Sequence, residues 1–83
     1  MNNTTHHTDD LGYKKGLEAA IAALRVQQET ASVEANWNYE QIKGGTLTGE
    51  AYKYHRARFD FYNDKNDALV ETIRGIKQQL KTI

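Results

Sequence analysis

Apolar residues recur along this chain in steps of three and four, in two runs separated by a glycine pair. The first run is Leu17, Ile21, Leu24, Gln28, Ala31, Ala35, Asn38 and Ile42. The second is Tyr52, His55, Phe59, Tyr62, Asn66, Leu69, Ile73, Ile76, Leu80 and Ile83. A repeat of about 3.5 residues is the seam of a coiled coil, so the pattern predicts two long helices. Residues 9–43 form the first, with Thr8 or Asp9 as cap and Asp9 and Asp10 at its positive end. Gly44 and Gly45 supply the left-handed residues that end it, within a turn at 44–48. Thr48 is the expected cap of the second helix, residues 49–82, with Leu47 and Tyr52 placed as a hydrophobic staple. Arg74, Lys77 and Lys81 close that helix with positive charge. Residues 1–8, with Asn2, Asn3, Thr4, Thr5, His6 and His7, are polar and read as an arm; residues 9–83 form a single domain.

Folding back at the glycine pair sets a register. Leu17 meets Ile76, Ile21 meets Ile73, Leu24 meets Leu69 and Gln28 meets Asn66. Beyond them Ala31 meets Tyr62, Ala35 meets Phe59, Asn38 meets His55 and Ile42 meets Tyr52. In this alignment aliphatic faces aliphatic, small alanines face large rings, and each polar seam residue faces another that can satisfy it. Glu34 falls near Arg58 and Glu18 near Lys77. Sliding by one heptad would set Gln28 against Ile73 and bring Arg25 beside Lys77, like charge against like. The expected fold class is therefore all-α, an antiparallel two-helix hairpin of coiled-coil type.

Each helix carries a second apolar stripe on its other side. On the first run Ala19, Ala23, Val26, Thr30, Val33 and Trp37; on the second, Tyr54, Ala57, Phe61, Ala68 and Gly75. A helix that is apolar on two sides is normally covered on both. The expectation is self-association into a helical bundle, with a dimer favoured. The larger members, Val26, Val33, Trp37, Tyr54 and Phe61, are candidate contacts for a protein partner, since Trp and Tyr are common interface anchors.

Composition narrows the function class. Lys and Arg number 11, as do Asp and Glu, so the net charge is zero, which argues against a protein that coats nucleic acid or an anionic membrane. With no cysteine there is no disulfide framework and no thiol chemistry, and no proline interrupts either helix. The opening MNNTTHHTDD reads as neither a secretory nor a transit signal, and the expected location is the cytoplasm. No apolar run reaches the roughly 20 residues of a bilayer span. No cofactor is expected. With no Cys nucleophile, no Gly-rich phosphate loop and no carboxylate pair on an apolar face, the chain reads as a non-enzyme.

A few motifs invite chemistry. Residues 51–62 interleave basic and aromatic side chains, the vocabulary of single-strand or nucleotide binding, which makes Lys53, Arg56 and Arg58 the alternative contacts for phosphate or nucleic acid. The blander reading places Tyr52, Phe59 and Tyr62 in the core, with those cations answering Glu34 and Glu40 across the seam. His6, His7, Asp9 and Asp10 lie in a polar arm expected to have no fixed geometry of its own, and no metal site is expected there. His55, facing Asn38, is a seam histidine that could loosen the hairpin below about pH 6.5.

The layout, two helices with a Trp near the turn, resembles small secreted hairpin proteins named for a Trp-x-Gly motif. Here the triplet is Trp37-Asn38-Tyr39 and the residue four beyond Tyr62 is Asn66 rather than an acid, so both signals of that group are absent. A short neutral hairpin also suits the small accessory or structural proteins of bacteriophages, which would place it in the host cytoplasm or the virion. The expected role is a stoichiometric adaptor, inhibitor or assembly component.

Overall fold

In the computed structural model the chain is two α-helices, α1 (Asn3–Lys43) and α2 (Gly49–Lys81), packed antiparallel. Backbone is described for residues 3–83 and side chains from Leu11 onward. Met1 and Asn2 of the expected arm, and the side chains of His6, His7, Asp9 and Asp10, lie outside the described residues. The rest of that arm is helical, so α1 begins at Asn3 rather than near Thr8 or Asp9. With no proline or glycine before Gly12, nothing in the sequence stops the helix from running backward past its best cap.

The expected register is present, and its polar layers identify it. Gln28 Nε2 donates to Asn66 Oδ1 at 2.6 Å, His55 Nδ1 lies 2.8 Å from Asn38 Oδ1, and Arg58 pairs with Glu34 at 3.8 Å. Ile21, Ala31, Ala35, Asn38 and Ile73 are buried. The remaining seam positions from Leu17 to Leu80 are half-buried, except Tyr52, which is exposed; Ile83 beyond them is exposed too. No buried side-chain nitrogen or oxygen among the described residues lacks a partner. The pair is a rod of 69 × 15 × 15 Å. Its equal cross-sections fit helices that wind about each other, as a seam of about 3.5 residues per repeat requires.

The turn departs from expectation in detail. Gly45 is left-handed at φ 75°, but the second left-handed residue is Gly49 at φ 58°, not Gly44. Gly44 instead continues the helical bonding, its N–H donating to the Glu40 carbonyl at 3.2 Å. Thr48 has the extended backbone of a cap, yet its hydroxyl makes no capping bond. The left-handed Gly49 directly after it turns the chain away from the path on which a cap hydroxyl meets the next amides.

Glu18 and Lys77 line one groove, as the register requires, without forming an ion pair. Arg25 also contributes to the lining of that groove. In the observed register Arg25 falls opposite Val70, one heptad from Lys77, so the like-charge juxtaposition of the slipped register is avoided.

Candidate interaction surface

The outer stripes are uncovered in the single chain. Val26, Val33, Trp37, Tyr54 and Phe61 are each between 55% and 65% exposed, which is high for residues of this size. Three of the five are joined into one surface toward the turn. The Trp37 ring lies 5.4 Å from the His55 imidazole, and Tyr54 meets the same imidazole edge-on at 5.1 Å. The Arg58 guanidinium stands over Tyr54 at 5.4 Å and over Tyr62 at 5.3 Å, donating to the Tyr62 hydroxyl at 3.3 Å. Phe61 continues the patch, edge-on to Tyr62 at 5.1 Å.

This layout corrects the picture of two opposed faces. Trp37 and Tyr54 both reach a seam histidine, so their rings wrap over one flank of the hairpin, where the Glu34–Arg58 pair also lies. The heptad explains it. In an antiparallel pair, the positions just outside the seam on one edge of each helix come together on the same flank. Val26 and Val33 extend the surface along α1, lining a shallow groove of about 310 Å³ with Thr30, Glu29 and Glu34.

His55 and Arg58 are the members that stripe-reading missed. The heptad puts His55 in the seam without showing that Trp37 lies over it, and the basic–aromatic segment offers Arg58 as a cation for Glu34 or for phosphate. The spacing Tyr54, Arg58, Tyr62 is i, i+4, i+8, and that signal could have revealed a guanidinium held between two rings on one helix face.

The three alternative phosphate contacts do not converge. Lys53 pairs with Glu50 at 3.6 Å and Arg56 with Asp60 at 3.5 Å, both within α2, while Arg58 pairs with Glu34 on α1. Only Arg58 answers an acid across the seam as expected; Glu40 pairs with Lys43 on its own helix at 3.7 Å. For Lys53, Arg56 and Glu40 the partner lies three or four residues away on the same helix, where side chains are near neighbours.

A larger groove of about 620 Å³ lies nearer the chain ends, lined by Arg25, Gln28, Val70, Ile73, Arg74 and Lys77 among others. Its Arg74 is bonded to Glu71. Among the described residues no cluster of three metal-ligating side chains occurs, and no helix is long and apolar enough to cross a membrane. Comparison with known protein families, curated proteins and solved structures finds no match.

Proposed function

We propose that this hairpin is a non-enzymatic protein–protein interaction module that self-associates and acts stoichiometrically, as a small adaptor, inhibitor or assembly component. A phage accessory or structural protein in the host cytoplasm or virion fits that description. The observation that supports the reading is the exposed aromatic patch spanning both helices at the turn end, Trp37 against His55 against Tyr54, continued to Phe61. Rings held in place by neighbours lose little freedom on binding, and large exposed apolar surface on a small protein implies something that covers it. The aliphatic half of the seam gives the hairpin a stiff stem on which the patch is presented.

The test is the double variant Trp37→Ala with Phe61→Ala. The expected result is loss of affinity capture of a protein partner while far-UV circular dichroism is unchanged. A wholesale loss of helicity would instead make those residues part of the fold's own core and sink the docking reading.

A further inference from the structure

Gly12 and Gly16 serve nothing inside the hairpin. Both lie within α1, where glycine weakens a helix, and a methyl group built on either would meet nothing within 4 Å. They begin a row along the outer face of α1, whose last member also turns its ring over the flank toward His55: Gly12, Gly16, Ala19, Ala23, Val26, Thr30, Val33, Trp37, spaced alternately by four and three. No member is charged. The first half of the row is small and the second half large, with Val26, Val33 and Trp37 strongly exposed.

We infer that this row is the seam of an antiparallel homodimer, α1 of one copy against α1 of a second. The inference rests on the interaction-module reading and names the occupant of its α1 surface. Turned end for end, the row is its own complement. Gly12 lies opposite Trp37 of the second copy, Gly16 opposite Val33, Ala19 opposite Thr30 and Ala23 opposite Val26, with the twofold axis between the last two. Each large side chain meets a small one, so the helices approach closely without voids. A parallel arrangement stacks Trp37 on Trp37 and Gly12 on Gly12, overfilled at one end and empty at the other.

Charge selects the same orientation. Lys15 flanks the small half of the row, and Glu29 and Glu34 flank the large half, where they line the groove with Val26 and Val33. End-for-end pairing brings base toward acid, whereas parallel pairing sets acid against acid. Tyr54 and Phe61 on α2 stay available to another protein.

The test exploits the absence of cysteine from the chain. Ala19→Cys and Thr30→Cys chains are mixed in equal amounts and oxidised; the two positions lie about 16 Å apart along one helix. The antiparallel seam gives a mixed disulfide in about tenfold excess over either homodimer. A second variant, Gly12→Leu with Gly16→Leu, keeps or raises helicity by circular dichroism and weakens dimerisation at least about tenfold by sedimentation equilibrium. Homodimeric disulfides, or a leucine variant that dimerises like the wild type, would overturn this seam and leave the interaction-module reading standing. A wild-type chain that stays monomeric by light scattering over a tenfold concentration range overturns the dimer, while the Tyr54–Phe61 face is judged separately by partner capture with Phe61→Ala alone.

Discussion

Asn38 binds His55 across the two helices and at the same time is bound by its own helix. Its Nδ2 donates to the Glu34 carbonyl at 2.8 Å, so its Oδ1 is the acceptor that faces His55 Nδ1 at 2.8 Å. The carbonyl can only accept, which settles the orientation of the amide; the histidine must then carry its proton on Nδ1. Asn38 is fully buried, so every polar atom it places in the seam has to be satisfied there.

Removing one partner of that bond should cost more than removing both. Asn38→Ala leaves His55 without its acceptor and is expected to destabilise the hairpin by about 1–3 kcal/mol in chemical denaturation. Asn38→Leu with His55→Leu should recover most of the loss, since a matched apolar layer leaves nothing unpaired. It should also loosen the register, detectable as a second set of amide resonances. A double variant less stable than Asn38→Ala would show that the layer contributes through packing instead.

Arg58 contributes by stacking more than by charge. Its ion pair with Glu34 is long and more than a third exposed on both sides, which leaves it weak and screened by salt. The two rings that flank the guanidinium do not depend on salt to the same degree. Arg58→Lys, which keeps the charge and loses the planar fork, should cost about 0.5–1 kcal/mol, nearly as much as Arg58→Ala. Equal stability of Arg58→Lys and wild type would assign the contribution to charge.

Pairing of Lys53, Arg56 and Arg58 with acids predicts weak attraction for phosphate. A labelled single-stranded oligonucleotide titrated at low salt should show no saturable anisotropy change. Binding that falls steeply with salt, and disappears in the triple alanine variant, would revive the nucleotide- or nucleic-acid-binding alternative.

The register could be read from the sequence because each mismatched alternative leaves an amide facing an aliphatic. Gln28 with Asn66 and Asn38 with His55 fix it almost unaided. The glycine roles at the turn could not be read, since Gly44, Gly45 and Gly49 are equally able to turn left-handed and backbone closure decides which do. Nor could the start of α1, where several polar residues tolerate helix about as well as coil. Val26, Val33, Trp37, Tyr54 and Phe61 stand out in the sequence as apolar positions outside the seam. Their grouping around His55 and Arg58 was hidden, because period alone assigns a side chain to a face and says nothing of how far a ring or guanidinium reaches across it.

The two polar layers sit at very different distances along the chain, 17 residues between Asn38 and His55 and 38 between Gln28 and Asn66. Closing the longer loop from an open chain costs about 0.7 kcal/mol more, and less once the shorter one is shut. Chain entropy therefore favours assembly of the hairpin from the turn outward. On that route the Asn38–His55 layer forms while only the aromatic end is in contact, and the aliphatic layers from Leu24 and Leu69 outward close last. A chain that pairs these helices out of step meets an unsatisfied buried amide early, when backing out is still cheap, so the layer that marks the register also checks it during folding.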